Sequence, residues 1–179
     1  MKKNHKEKLK GIKLLILDVD GVMTDGRIIM DHEGHEIKHF DARDGHGLKI
    51  IQRYGIEVVL LTGRKSEVVN HRARDLGIKD VYQGLVNKKD VLEEILQKHN
   101  LPASAVAFLG DDIVDIPVLK RVGFSAAVAD ALDVVKKSVD YVTEHKGGRG
   151  AVRELCELIL QAQGKWPEIA AQYEFSEYI

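Results

Sequence analysis

Asp18 and Asp20 stand two apart in DVDGVMTDG, directly after the apolar run Leu14–Leu17. In an extended chain that spacing turns both carboxylates to one side and sends Val19 the other way, into the core. Two carboxylates facing one pocket can divide a phosphoryl transfer between them. One attacks phosphorus and forms an acyl phosphate; the other protonates the departing alkoxide. Asp18 suits the first role and Asp20 the second. Gly21 lets the backbone turn so that amide groups approach phosphate oxygens. Taken alone, D-x-D-G also reads as an ordinary turn at a strand end.

Three further signals fall where strands should end. In TGRKS, Thr62–Ser66, a hydroxyl and backbone N–H groups at a helix start can hold phosphoryl oxygens, although Thr62 also reads as a plain helix cap. Lys88, after Asn87, can neutralise phosphoryl charge or simply lie solvated. GDDIVDIP, Gly110–Pro117, places Asp111, Asp112 and Asp115 within five residues. Like charges so close repel unless a cation lies between them, which points to a hard-metal site with Mg²⁺ as its natural occupant.

These residues need a scaffold that brings strand ends together. Runs rich in Val, Ile and Leu at Leu14–Leu17, Val58–Leu61, Ala105–Leu109, Phe124–Val128 and Tyr141–Val142 read as buried parallel strands. Helical periodicity covers Gly47–Tyr54, Ser66–Leu76, Lys88–His99, Ile113–Val122, Leu132–Lys137 and Ala151–Gln163. Alternation of this kind predicts an α/β fold with a doubly wound parallel sheet, its loops gathered at the carboxyl ends of the strands. Residues 26–41 break the alternation and read as a projecting β-hairpin, with Arg27–Asp31 and Glu36–Phe40 as its arms.

The 179 residues predict one catalytic domain over 1–179, with a solvated N-terminal arm at 1–10 and a C-terminal tail at 164–179. The tail carries Trp166, Tyr173, Phe175 and Tyr178, an aromatic load that predicts docking. With 27 basic and 28 acidic side chains the net charge is -1, so global electrostatics recruit neither nucleic acid nor an anionic membrane. The basic start lacks the apolar stretch of a signal peptide, no run approaches a membrane span, and the lone Cys156 reads as a buried thiol. A reducing cytoplasm fits these features.

Taken in order, the four signals resemble the four motifs of the haloacid dehalogenase-like phosphotransferases. The resemblance implies Asp18 as nucleophile and metal ligand, Asp20 as acid/base and backbone-carbonyl metal ligand, and Thr62 and Lys88 on the phosphate. It implies Asp111 on Mg²⁺, with Asp112 and Asp115 supporting the metal site or the fold. Many relatives carry a cap domain after the first motif or between the second and third; here the first slot holds only the hairpin, so the chain reads as cap-less. The hairpin followed by FDARDGHGLK, with YQGLVNK, GGRGAVRE and AQGK further on, resembles the 3-deoxy-D-manno-octulosonate 8-phosphate phosphatase family, whose product enters lipopolysaccharide.

That likeness implies substrate binding by Asp20, Lys88, the stretch Asp41, Ala42, Arg43, Asp44 and Gly45, and by Lys49, Arg64 and Arg72. Arg64 and Arg72, eight residues apart, can share one side of a helix, or be two solvated residues. Phosphatases for nine-carbon sialic-acid-type phosphates tend to carry an acid where this chain has Arg64, which favours the octulosonate. The remaining alternatives are a phosphatase for another sugar-acid phosphate and a receiver-like phospho-acceptor module without turnover. His32, His35, His39 and His46 straddle the hairpin, whose alternating faces and missing cysteine or paired acid speak against zinc. Without a cap, something else must close the pocket. The expectation is a homotetramer in which the apolar Ile28, Met30 and Ile37 of the hairpin make subunit contacts and the tail reaches a neighbouring site.

Overall fold

The computed structural model describes residues 3–175. Helix α1 (Lys3–Lys10) leads into β1 (Leu14–Leu17), followed by the hairpin strands β2 (Ile29–Met30) and β3 (Glu36–Ile37). Then come α2 (Ala42–Arg53), β4 (Glu57–Leu61), α3 (Glu67–Leu76), β5 (Asp80–Tyr82), α4 (Lys88–His99) and β6 (Val106–Gly110). A 3₁₀ turn at Ile113–Asp115 precedes α5 (Ile116–Leu119), β7 (Phe124–Ala127), α6 (Asp133–Lys136), β8 (Tyr141–Val142), α7 (Ala151–Ala162) and α8 (Trp166–Gln172).

Six strands form one sheet in the order β5-β4-β1-β6-β7-β8, and every pair is parallel. Strand β1 is flanked by β4 and β6, and its four residues are fully buried, which explains why its sequence is apolar without alternation. The chain moves from β1 outward to β5 and then returns across β1 to β6. That reversal is the topological switch point, where loops diverge and open a crevice at the carboxyl edge. Helices α1, α2 and α3 gather with α7, whereas α4 packs with α5. Right-handed crossovers put these groups on opposite faces of the sheet.

The N-terminal arm departs from the solvated expectation. Residues 3–10 are helical, α1 packs on α7, Leu9 is fully buried, and Lys8 Nζ pairs with Asp140 at 2.5 Å. Its lysines hid a short apolar contact with α7 and β7. Helix α2 begins at Ala42 rather than Gly47, because Asp41 caps it by accepting the amides of Arg43 and Asp44. Glycine inside that helix weakens its sequence signal. A Cβ at Gly45 would lie 2.2 Å from Arg72 Nη2, so a side chain there would displace that guanidinium. The run read as one helix from Ile113 splits into the 3₁₀ turn and α5, with Pro117 in the first turn of α5. The hairpin forms, but each strand has two residues, and among the described residues its strands pair only with each other.

The tail is ordered on its own chain as far as Phe175. Helix α8 packs on α7, Trp166 and Phe175 meet with ring centroids 5.7 Å apart, and the Tyr173 hydroxyl lies 3.1 Å from both His46 Nε2 and Arg53 Nη1. Tyr178 falls outside the described residues. Among those that are described, no helix is long and apolar enough to cross a membrane.

Candidate active site

Leu17 of β1 lies beside Leu109 of β6, so the loops leaving these strands bring Asp18 and Asp111 together at the switch point. Asp18 is buried; its Oδ1 accepts the Val19 amide at 2.7 Å and its Oδ2 lies 2.8 Å from Lys88 Nζ. Lys88, the first residue of α4, reaches in from the other side and also donates to Asp115 Oδ1 at 2.7 Å. Carboxylate oxygens of Asp18, Asp111 and Asp115 all lie within 4.8 Å of one another. Three ionised carboxylates against one ammonium would leave two uncompensated negative charges.

The three acids are not equivalent. Fully buried Asp115 has both oxygens committed, Oδ1 to Lys88 and Oδ2 to the amides of Asp111 and Asp112 at 2.9 and 3.3 Å. It orients the loop. Asp111 instead keeps a buried Oδ1 with no hydrogen-bond partner among the described residues. Leaving such an atom unsatisfied costs roughly 1–3 kcal/mol, more for a charged group. Exposed Asp112 caps the 3₁₀ turn through the Ile113 amide. Gly21 has φ +88° and a Cβ there would sit 2.1 Å from Asp111 Oδ2, so the approach of the two loops requires glycine.

Electrostatics follow from this packing. Burial, then the charge of Asp115, raises the Asp18 carboxyl to about 6 against the pull of Lys88. Burial and the charges of Asp18, Asp115 and Asp112 raise Asp111 to about 8. Burial opposes the charge on Lys88, but Asp18 and Asp115 outweigh it and raise its pKa. An orphaned buried oxygen beside hard carboxylates with an excess of two negative charges fits a divalent, oxygen-seeking cation. Asp18 and Asp111 have the oxygens to hold it. The Asp20 carboxylate is turned elsewhere, which leaves its backbone carbonyl for any part in metal binding.

Asp20 faces the hairpin. Lys38 Nζ donates to its Oδ1, and Arg64 Nε lies 3.6 Å from its Oδ2. Glu36 completes the group: its Oε1 accepts from Arg64 Nη2 at 3.1 Å and lies 3.2 Å from Lys38 Nζ, and its Oε2 accepts from Ser66 Oγ. Burial works against the Glu36 charge, yet bonds from Ser66, Lys38 and Arg64 prevail and lower its pKa. Glu36 and Lys38 went unnoticed in the sequence, where Ser66 reads only as the end of TGRKS and the start of a helix. Their signal was present as period-two alternation, with Glu36, Lys38 and Phe40 turned inward and Ile37 and His39 outward.

Thr62 is buried just beyond β4, its amide donating to the Tyr82 carbonyl at 2.9 Å. Thr24 ties the turn after Asp20, its hydroxyl accepting the amides of Gly21 and Gly26 at 3.3 and 3.2 Å. Beside that turn a cavity of about 300 Å³ is lined by Asp25, His39, Asp41, Ala42 and Arg149, among others. Asp41 and Ala42 thus border open space next to the catalytic loop, and Arg43 is exposed.

The expected substrate-binding set does not form one cluster. Arg64 lies in the loop before α3, so helical spacing never relates it to Arg72. Arg72 sits on α3 above the Phe40 ring at 5.4 Å, pairs with Asp75 at 2.7 Å, and donates to the Asp41 carbonyl at 3.4 Å. Lys49 shares Asp75 at 3.9 Å. Asp44 departs furthest from expectation: it is buried, and its two oxygens accept the Gly150 and Arg153 amides at the start of α7, at 3.2 and 2.8 Å. Burial raises its pKa despite those bonds. The histidines disperse, with His46 on Tyr173 and His35 at the hairpin tip, where the turn brings it beside Asp31 and Glu33, the paired acids that sequence reading did not see there.

A family model described as haloacid dehalogenase-like hydrolase matches residues 75–155. The chain is 48% identical over 165 residues to the 3-deoxy-D-manno-octulosonate 8-phosphate phosphatase KdsC of Escherichia coli K12, covering 92% of this chain and 88% of that protein. The crystal structure of the Moraxella catarrhalis 3-deoxy-D-manno-octulosonate 8-phosphate phosphatase, in complex with magnesium, phosphate and KDO, superposes with a TM-score of 0.94 at 38% identity, covering 97% of this chain and 99% of that one. The Yersinia pestis phosphatase of the same name gives 0.90 at 45% identity, over 91% and 88% of the two chains. A parallel sheet with acids at its switch point, and likeness running over nearly the whole chain, lead to one assignment: this chain belongs to the haloacid dehalogenase-like hydrolases, in the family of the 3-deoxy-D-manno-octulosonate 8-phosphate phosphatases.

Proposed function

We propose that this enzyme is a Mg²⁺-dependent phosphatase that hydrolyses 3-deoxy-D-manno-octulosonate 8-phosphate to the free sugar acid and phosphate, in the supply of a lipopolysaccharide sugar. The observation that carries the reading is the uncompensated cluster of Asp18, Asp111 and Asp115 around Lys88, which suits a cation and a phosphoryl group together. The names of the relatives support the substrate, and magnesium, phosphate and KDO in the Moraxella catarrhalis structure support the ligands.

An oxygen of Asp18 attacks phosphorus while the bond from phosphorus to the sugar oxygen breaks, and Asp20 delivers a proton to that oxygen. The Asp20 carboxylate then takes a proton from water as its oxygen attacks the aspartyl phosphate, freeing phosphate and Asp18. Lys88 holds Asp18 in place and balances charge on the phosphoryl oxygens, and Thr62 is assigned to the same oxygens. Mg²⁺ held by Asp18, Asp111 and the Asp20 carbonyl would supply charge neutralisation and orientation for the phosphoryl group. The sugar acid carries a carboxylate as well as a phosphate. Arg64 at the rim and Asp41, Ala42 and Arg43 with Lys49 and Arg72 are assigned to binding it.

We assign the enzyme to the cytoplasm, a reading supported by its single, fully buried, reduced Cys156. A homotetramer is supported by the exposed apolar hairpin face, where Ile28, Met30 and Ile37 are 53%, 58% and 47% exposed. Phosphate release from the eight-carbon substrate and from nine-carbon sugar-acid phosphates, with and without Mg²⁺, tests the function. The expected result is Mg²⁺-dependent multiple turnover with highest kcat/KM for the eight-carbon ester. One equivalent of sugar acid released per chain, with the phosphoryl group retained on the protein, would point to a phospho-acceptor module, and a preference for nine carbons would reassign the substrate.

A further inference from the structure

We propose that Lys38 is a positioning residue for Asp20, its buried ammonium fixing the carboxyl group that protonates the leaving alkoxide. The inference deepens the mechanism above and rests on Asp20 being the general acid.

Lysine is seldom fully buried unless paired, and the Lys38 side chain is 1% exposed. Its Nζ donates to Asp20 Oδ1 and lies 3.2 Å from Glu36 Oε1. A buried ammonium needs such acceptors to hold its charge. Glu36 is itself anchored by Arg64 and Ser66 on the loop after β4. Lys38 is therefore braced between the hairpin and the main sheet. Asp20 lies in a turn, beyond the end of β1, where no sheet ladder holds it. A general acid must stay within hydrogen-bond reach of the oxygen it protonates. Gripping one oxygen of Asp20 from the hairpin leaves the other to be aimed at the leaving group.

The balance of the step is simple. As the Asp18–phosphorus bond forms and the phosphorus–alkoxide bond breaks, the Asp20 proton passes to the alkoxide and leaves a carboxylate facing Lys38. Lys38 gains and loses nothing; it places Asp20 and stabilises the anion that remains. The alternation of the hairpin serves the same end, because one face carries Glu36 and Lys38 inward while the other presents Ile37 to solvent.

The test uses alkyl and aryl monophosphates that lack a carboxylate, so that recognition by Arg64 does not enter. kcat/KM covers the steps through release of the alcohol, and protonation matters for an alkoxide but hardly for 4-nitrophenolate. Lys38→Met is expected to lower kcat/KM for alkyl phosphates by about 100-fold and for 4-nitrophenyl phosphate by no more than about threefold, with Lys38→Arg recovering part of the loss. The ratio of two substrates in one preparation cancels the active fraction, so a partly unfolded variant still gives a reading. Equal losses on both classes would mean that Lys38 only supports the fold, and the proposal would be wrong. Asp20→Asn, assayed in parallel, should show the same selective loss. If it does not, the assignment of Asp20 fails and the proposal fails with it; if it does and Lys38→Met does not, the proposal alone fails.

Discussion

Asp111 and Asp44 are both acids that the fold takes largely out of water, and their surroundings differ in one respect. Asp44, on α2, gives its two oxygens to the Gly150 and Arg153 amides, where the first turn of the twelve-residue α7 lacks a side-chain cap of its own. Its charge also lies at the positive end of that helix. Asp111, after β6, has a buried oxygen with no partner among the described residues and two further acids beside it. A buried carboxylate with satisfied oxygens is part of the architecture. One left unsatisfied among like charges marks where something else must bind, since nothing in the fold repays its burial.

The sharpest break of this comparison is Asp111→Asn. Activity should fall by roughly 10²–10⁴-fold, because the variant loses charge for the cation that the transfer needs. The metal-free protein should at the same time melt at a higher temperature than wild type near pH 8. The sign follows from a folded pKa of about 8 against an ordinary 3.8. Stability contributed by the protonated Asp111 is complete below about pH 4 and disappears as pH rises through 8, and asparagine removes that decline. Calorimetry in chelator against steady-state kinetics in Mg²⁺ checks both halves; a lower melting temperature would show that Asp111 is a structural acid like Asp44.

Asp44→Ala should behave in the opposite way. It strands the Gly150 and Arg153 amides at a helix start, at a cost of about 1–3 kcal/mol or several degrees in Tm. The loop that precedes α7 touches the catalytic turn, since the Gly148 amide donates to the Val22 carbonyl at 2.9 Å. Some activity should therefore be lost, by less than about tenfold, far below the effect at Asp111. A loss as large as that of Asp111→Asn, with unchanged Tm, would return Asp44 to the substrate.

The comparison also has a pH dependence. A cation binds ionised Asp111, so its association between pH 6 and 8 must displace a proton. Apparent Mg²⁺ affinity should rise by about tenfold per pH unit over that window and level off above it. Isothermal titration at several pH values measures the slope; a flat profile would mean that Asp111 is ionised before the metal arrives. The smallest effect is expected at Asp112, an exposed cap. Asp112→Ala should cost no more than about 1 kcal/mol in denaturant unfolding and leave Mg²⁺ dependence in place.

Short-range pattern carried the sequence a long way. The apolar runs became five strands of the sheet within a residue or so, because a strand buried on both faces must be apolar throughout. Asp18, Thr62, Lys88 and Asp111 were legible because each follows a recognisable strand or opens a helix, and a parallel sheet gathers those positions at one edge. Strand β5 is absent from the apolar runs read in the sequence, since three half-buried residues at a sheet edge give little periodic signal.

Other features depended on partners far away in the chain. Asp44 meets Gly150 and Arg153 across 106 and 109 residues, so nothing near DGHG distinguishes a substrate ligand from a cap for a distant helix. Leu9 is a core residue because α1 packs on the distant α7 and β7. Glu36 and Lys38 were visible as alternation, but the direction of the inward face depends on Asp20, Arg64 and Ser66. The sequence by itself determined which segments are strands and which residues follow them, because those properties arise from neighbours in the chain. The tertiary structure decided which buried charges are satisfied and which are left for a ligand, because that balance depends on groups that meet only when the chain has folded.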